Sequence, residues 1–341
     1  MNELQFALFG AGFWAHYQLA AWGEIPGVRC VAVCDPDREK AEELARKFSV
    51  AAVHDRPEAV FDGELPDFVD VVSSVHTHGQ LVRLAAGHGV PVISQKPLAT
   101  GLAEAEELVA LCRASRVPFL VHENWRWQAP LRRIREILDS GAIGTPFRAR
   151  LDMISGFPVF VNQPALRTLD QFLVLDMGSH MLDLARFLFG EAESLYCQTH
   201  QVHADIRGED VASVLLRMGK DRTSVLCQMA FAENPLEHDC FPQTLAFIEG
   251  DRGSLEVAPD YWVRVTTAEG TVARRHAPPR FAWADPAYEV VHASLVPCLA
   301  NLLDGIKGGA AETTAEDNLR TVGLIFAAYE SSRHDRVIRL R

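Results

Sequence analysis

Cysteine is sparse and unpaired in this 341-residue chain. The seven residues Cys30, Cys34, Cys112, Cys197, Cys227, Cys240 and Cys298 are odd in number, and no two form a Cys-x-x-Cys pair. Neither a zinc knuckle nor a dithiol redox centre is expected, and the thiols read as reduced core residues. Basic residues are also short: 33 Lys and Arg face 45 Asp and Glu, for a formal charge of -12, with no local basic run. Such a surface repels a phosphate backbone, which excludes nucleic acid as a partner and favours a small neutral molecule. No apolar stretch reaches the roughly eighteen residues of a membrane span. The opening MNELQFALFGAG enters a strand without a basic leader, so no membrane partner and a cytoplasmic location are expected. Internal repeats and low-complexity tracts are missing as well.

What remains is the composition of a globular protein, 48% hydrophobic and 23% charged, long enough for two domains. The apolar run Leu4 to Phe9 ends in Gly10-Ala11-Gly12-Phe13-Trp14-Ala15, and a helical pattern follows to about Trp22. This is the strand, glycine turn and helix of a dinucleotide site. Gly10 permits the turn, Gly12 admits a pyrophosphate, Ala15 packs the helix, and Phe13 and Trp14 lie in the same cofactor-contacting turn. A second strand, Val28 to Cys34, delivers Asp35 about 20 residues on, where a carboxylate binds the ribose hydroxyls. That favours NAD. Arg38 keeps NADP open, and Asp35 can alternatively cap the helix expected over Asp37 to Phe48.

Apolar strands alternate with amphipathic helices as far as Phe119 to Val121, the pattern of a doubly wound parallel sheet. A helix is expected over Gly79 to His88. The loop before it, Ser73 to His78, lies at the C-terminal sheet edge, so Ser74, His76 and His78 can border the nicotinamide. The strand within Val90 to Pro97, VPVISQKP, ends in Gln95 and Lys96. A lysine at that lip carries its ammonium into the ligand crevice, and Lys96 is read as a catalytic cation.

Beyond His122 the pattern changes. Glu123-Asn124-Trp125-Arg126-Trp127 places two indoles around a guanidinium, a combination suited to a polyhydroxylated ligand or to an aromatic core. In Leu175 to Asp183 a helix starting near Gly178 would set Asp176 at its mouth, with His180 and Asp183 on one face. A histidine there can exchange the proton of an alcohol while a carboxylate orients it. No metal is expected, since no third ligand falls at a supporting spacing. From Ser194 to His276 hairpin-linked strands predict a largely antiparallel sheet. Its cover would be helix 130 to 140, the His180 helix and the closing helices Tyr288 to Lys307 and Thr314 to Ser331, leaving one face for a partner subunit. The loops 156 to 169 and 232 to 243 offer Arg167, His238 and Asp239 to a substrate.

With Gly10-Ala11-Gly12, Gln95-Lys96-Pro97 and Asp176-Met177-Gly178-Ser179-His180 in this order, the chain resembles the glucose-fructose oxidoreductase, inositol dehydrogenase and rhizopine-catabolism (Gfo/Idh/MocA) family over its whole length. The resemblance implies an α/β protein with a Rossmann domain over 1–123 and an α+β domain with a large open sheet over 124–341. Also implied are NAD(P)-dependent hydride transfer at a secondary alcohol of a sugar or cyclitol, and dimers or tetramers through that sheet. By position it assigns the catalytic lysine to Lys96, the carboxylate to Asp176 and the histidine to His180, all three touching substrate. Gln95 stands where the family usually has Glu, and Val75 where it commonly has Pro. An NAD-dependent glycosidase working through a transient 3-keto sugar, or a non-catalytic NAD-binding regulator, are the alternatives.

Overall fold

Fully apolar strands must be covered on both faces, and the first half of the chain satisfies this with parallel strands between helices. The computed structural model describes residues 3–237 and 239–340; His238 lies outside them. Its strands here are β1 (Leu4–Phe9), β2 (Val28–Cys34), β3 (Ala52–His54), β4 (Phe68–Val71), β5 (Val92–Gln95) and β6 (Phe119–His122). They pair in parallel in the order β3-β2-β1-β4-β5-β6. Helices α1 (Phe13–Trp22), α2 (Arg38–Phe48), α3 (Val75–Gly87) and α4 (Leu102–Ser115) make the crossovers. Phe6, Leu8, Val33, Phe68 and Ile93 are fully buried. The strand order reverses between β1 and β4, which creates a ligand-binding crevice at their C-terminal ends.

Two compact units divide the chain, but not at a single point. The first comprises Met1–Asn124, Phe281–Ala284 and Leu295–Val322; the second comprises Trp125–Arg280, Asp285–Ser294 and Gly323–Arg341. The closing helices were expected to cover the large sheet, yet Leu295–Val322 completes the first unit. There the Thr313 hydroxyl donates to the Val121 carbonyl (2.7 Å) and the Val121 N–H to the Thr313 carbonyl (2.8 Å). Strand β6 has neighbours on one side only, and this segment satisfies its open edge.

The second unit holds α5 (Ala129–Asp139), β7 (Pro146–Ser155), α6 (Val159–Asn162), α7 (Leu173–Phe189), β8 (Ala192–His200), β9 (Val211–Met218), β10 (Thr223–Phe231), β11 (Leu245–Gly250), β12 (Gly253–Ala258), β13 (Trp262–Thr267) and β14 (Gly270–Arg275). Helices α8 (Glu289–Ile306) and α9 (Ala315–His334) contribute to both units, and β15 (Ile338–Arg339) returns to the sheet edge. Among the described residues the strands form a nine-stranded sheet, β14-β13-β12-β11-β7-β10-β9-β8-β15, antiparallel except for the β7–β10 pair. Alternation along β7 buries Ala149, Leu151 and Met153, while Arg148, Arg150 and Ile154 face outward. Helix α7 packs on the buried side, where the Cys227 thiol meets the Met181 carbonyl at 3.8 Å.

One segment corrects the reading that no stretch is membrane-length: Pro286–Ile306 is long and apolar enough to cross a bilayer. In the fold Val290, Val291, Leu299 and Leu302 of this helix are buried within the protein.

Candidate active site

The glycine turn between β1 and α1 is tight because another chain segment presses on it. Gly10 has φ of +103°, and a Cβ there would lie 2.8 Å from the Ser73 nitrogen and the Val72 oxygen, so only glycine fits. Gly12 is the opposite case: a Cβ would meet nothing within 4 Å. It precedes α1, whose N-cap makes no side-chain hydrogen bond, and a helix start without a side-chain cap is a place where a pyrophosphate can be received. Asp35 braces this turn. Its carboxylate accepts from the Ala11 N–H (2.7 Å) and the Asp37 N–H (2.8 Å), leaving further lone pairs for ribose hydroxyls. Asp37, not Asp35, caps α2 by accepting from the Lys40 N–H at 3.3 Å, which settles the alternative in favour of a turn-bracing carboxylate. Phe13 is exposed and Trp14 half-buried, their rings edge-to-face at 5.6 Å. Arg38 is exposed and pairs with Glu42 (2.9 Å). The residues present fit a dinucleotide.

Helix α3 begins at Val75, four residues earlier than expected, because the Ser74 carbonyl accepts from both the N–H (2.9 Å) and the hydroxyl (2.8 Å) of Thr77. Ser74 and His76 are exposed at its N-terminus. His78 is not a loop residue facing a ligand. It is buried on the helix, with one ring nitrogen 3.1 Å from the Ser73 carbonyl and the other 3.1 Å from the Pro97 carbonyl. Burial lowers its pKa, opposed by those carbonyls. His78 therefore ties the β4 loop to the turn that carries Lys96.

On the strand side of Lys96, Gln95 enters a buried polar chain that the sequence did not disclose. The Gln95 amide N–H group donates to Gln18 Oε1 (3.1 Å) and His122 Nδ1 (2.8 Å). The Gln18 amide N–H group donates to Asp70 (3.0 Å), which also accepts from the Trp22 indole (2.7 Å). Asp70 is wholly buried, and desolvation pushes its carboxyl up to about 6 against those two donors. The one cue in the sequence was a carboxylate within the apolar run of β4.

In the second unit α7 starts at Leu173, five residues before the expected Gly178. The cap comes from elsewhere: Glu209 accepts from the Val174 N–H (2.9 Å) and from the Tyr329 hydroxyl (2.7 Å), and that hydroxyl accepts from the Leu175 N–H (3.0 Å). Negative charge at a helix N-terminus is favourable. Asp176 consequently lies inside the first turn, and Asp176, His180 and Asp183 follow at i, i+4 and i+7 on one face. Asp176 is half-buried, His180 buried.

The His180 ring lies on the indole of Trp125, centroids 4.4 Å apart at 21°. Trp125 is itself buried and anchored by its N–H to the Thr244 hydroxyl at 2.8 Å. Arg126 corrects the substrate reading: its buried guanidinium grips Asp183 through two hydrogen bonds, 2.8 and 2.6 Å. Asp183 also lies 3.8 Å from Arg186, which pairs with Glu191 at 2.8 Å. Trp127 is half-buried beneath the Arg132 guanidinium, 4.3 Å from its ring.

The two loops expected to shape a pocket are locked together. Phe157 and Phe241 stack at 4.0 Å and 4°, and Asp239 accepts from the Ser155 hydroxyl (3.0 Å) and from the Gly156 (2.7 Å) and Phe241 (3.0 Å) N–H groups. Asp239 is therefore a loop clamp rather than a substrate carboxylate. Arg167 pairs with Asp205 and lies over the Phe160 ring at 4.6 Å.

The family model for Gfo/Idh/MocA, an oxidoreductase family with an NAD-binding Rossmann fold, matches residues 4–123, and that for the family's C-terminal domain matches 131–256. A D-apiose dehydrogenase of Paraburkholderia graminis is 39% identical, covering 98% of this chain and 89% of that protein. A D-apiose dehydrogenase of Rhizobium rhizogenes is 36% identical, covering 99% and 98%. The crystal structure of an oxidoreductase from Agrobacterium radiobacter in complex with NAD+, L-tartaric acid and magnesium gives a TM-score of 0.96 at 35% identity, covering 99% of this chain and 98% of that one.

Proposed function

The chain belongs to the Gfo/Idh/MocA oxidoreductase family, and from that premise we propose that this NAD-dependent sugar dehydrogenase oxidises a CH–OH group of D-apiose. The observation that carries the dehydrogenase reading is the uncapped start of α1, with open space before Gly12 and Asp35 fixed beside it. Two relatives matched over nearly the full chain, both D-apiose dehydrogenases, support the choice of sugar.

Lys96, Asp176 and His180 are proposed to carry the reaction. When the carbinol C–H bond breaks, bound NAD supplies the hydride acceptor. His180 takes the hydroxyl proton, and Lys96 stabilises the oxygen as its negative charge grows. A fixed cation aimed at such charge is worth on the order of 100-fold in rate or more, and general base catalysis adds a comparable factor. Asp176, one turn before His180, orients it. Trp125 holds the imidazole flat, and its π face favours the cation the ring becomes. Gly10, Gly12, Phe13, Trp14, Asp35, Ser74, His76 and Gln95 are assigned to the cofactor; Arg38, at the ribose end, is where NADP would be tolerated.

The test is a screen of D-apiose against other sugars and cyclitols with NAD and with NADP, followed by nicotinamide absorbance. D-apiose with NAD should be fastest, and Lys96→Met and His180→Ala should each lower turnover ~100-fold or more while NADH still binds. Near-normal rates in either variant reject the residue roles. Release of sugar from a glycoside without net NADH would replace oxidation by cleavage.

The same proposal places the protein in the cytoplasm, where its seven free thiols stay reduced, and makes it a homodimer or homotetramer through the outer sheet face. A cross-strand row of Leu215, Leu226, Arg150 and Phe247 runs over that face, with Leu215 46% and Phe247 38% exposed. Leu215→Glu together with Phe247→Glu should reduce the mass seen by light scattering to that of one chain. An unchanged mass moves the interface elsewhere.

A further inference from the structure

The buried chain behind Lys96 has a direction. The Asp70 carboxylate carries no N–H, so when ionised it can only accept. Its Oδ2 accepts from Gln18 Nε2, at 3.0 Å, and from Trp22 Nε1, at 2.7 Å, and its Oδ1 accepts from the same Gln18 nitrogen at 3.2 Å. The Gln18 amide is thereby turned with its NH2 towards Asp70 and its oxygen towards Gln95. That oxygen needs a donor, so the Gln95 NH2 points inward, to Gln18 at 3.1 Å and to His122 Nδ1 at 2.8 Å. Both N–H groups of Gln95 are then used, and among the described residues nothing donates to its Oε1. Gln95 is the last residue of β5, at the sheet edge where this fold takes ligands.

We propose that Asp70, Gln18 and Gln95 form an orientation relay that presents the Gln95 amide oxygen, beside Lys96, as the acceptor for a ligand hydroxyl, which makes Asp70 a positioning residue. The inference rests on the dehydrogenase reading for the identity of the ligand: the hydroxyl belongs to the nicotinamide ribose or to the sugar. It also accounts for a glutamine where the family usually has glutamate. A carboxylate at 95 would face the Gln18 oxygen. Turning Gln18 would only bring that oxygen against Asp70, so a buried carboxylate at 70 and a half-buried one at 95 cannot both be served by one amide. The carboxyl of Asp70 titrates near 6, so above about pH 7 it is ionised and the direction is fixed.

Reversal of the relay is the test. In Asp70→Asn the oxygen 2.7 Å from the Trp22 indole stays, and the new NH2 takes the place of the other oxygen, 3.2 Å from Gln18 Nε2, where two NH2 groups oppose each other. Gln18 must then turn over, Gln95 must follow, and an NH2 replaces the oxygen at the crevice. Asp70→Asn should therefore weaken binding of the affected ligand ~10-fold, the loss of one hydrogen bond. A raised Kd for NADH identifies the ribose; a raised KM for sugar with unchanged NADH binding identifies the sugar. Gln95→Glu alone should be impaired as well. The double variant Asp70→Asn with Gln95→Glu satisfies every partner, since Gln18 then donates to Glu and accepts from Asn, and should recover most of the loss.

A purely structural Asp70 predicts additive damage instead, and additivity overturns the relay. So does Asp70→Asn with both ligand constants unchanged. A readout free of turnover is the 15N spectrum of His122, whose Nδ1 must be unprotonated in the wild-type protein and protonated in Asp70→Asn. A wild-type Nδ1–H refutes the proposal with no variant needed. If the wild-type protein oxidises no sugar, the functional reading fails while the His122 spectrum and the NADH titration still decide the relay.

Discussion

His180 lies flat on Trp125, ring centroids 4.4 Å apart, and Trp125 is pinned from behind by Thr244. The proton transfer proposed for His180 gains from such a wall, because fewer ring orientations compete with the productive one. Trp125→Ala should lower kcat ~10- to 100-fold with NADH affinity unchanged, since misplacing a reacting group by about 1 Å can cost on the order of 100-fold. Trp125→Phe retains a face but loses the Thr244 bond and should fall between. Steady-state kinetics with an NADH titration decides, and an equal loss of cofactor binding would assign Trp125 to the cofactor instead.

The ion pair of Arg126 with Asp183 is almost wholly buried. Removing one partner of such a pair strands a charge and costs ~3–5 kcal/mol. Arg126→Met should therefore melt far below the wild-type protein, with little change in KM for sugar per folded molecule. A normal melting temperature with a tenfold higher KM would return Arg126 to the substrate site.

Glu209 supplies the cap that α7 lacks locally. Glu209→Ala should destabilise the protein by ~1–2 kcal/mol, as loss of a cap does, and depress kcat because Asp176 lies in the affected turn. Glu209→Gln keeps an acceptor for the Val174 N–H and should cost less than half as much. Urea titrations of the two variants check the ranking; equal losses would point to the charge rather than the hydrogen bonds.

Asp70 links the core to pH. Burial raises its carboxyl from 3.8 to about 6 in the folded protein. Between those values the folded state holds a proton that the unfolded state has lost, so this group makes stability fall as pH rises through the window and leaves it level above. The size is ~2–3 kcal/mol. Asp70→Asn cannot titrate there. The stability of the variant relative to wild type should rise by that amount from about pH 4 to about pH 6, measured by denaturant midpoints at stepped pH. Parallel profiles would mean that Asp70 is ionised throughout.

Much of the architecture was legible before folding was considered. Strands β9, β10 and β13 fall where alternation put them, because every second side chain had to be apolar to bury one sheet face. The glycine turn and Asp35 were readable for a similar reason: a tight turn against a neighbouring strand leaves no choice but Gly10, and the carboxylate sits at a fixed chain distance. The starts of α3 and α7 were not readable. One depends on Thr77 folding back to the Ser74 carbonyl, the other on Glu209 and Tyr329, residues far along the chain.

By itself, then, the sequence determined the alternation of elements and the glycine turn of the NAD-binding fold, since those follow from local periodicity and residue chemistry. Tertiary structure alone decided which of the polar candidates are spent inside the protein. Arg126 went to Asp183, His78 to two carbonyls and Asp239 to a loop clamp. A buried polar group must find a partner wherever the chain brings one within about 3 Å, and that distance is set by packing between segments that no spacing along the sequence records.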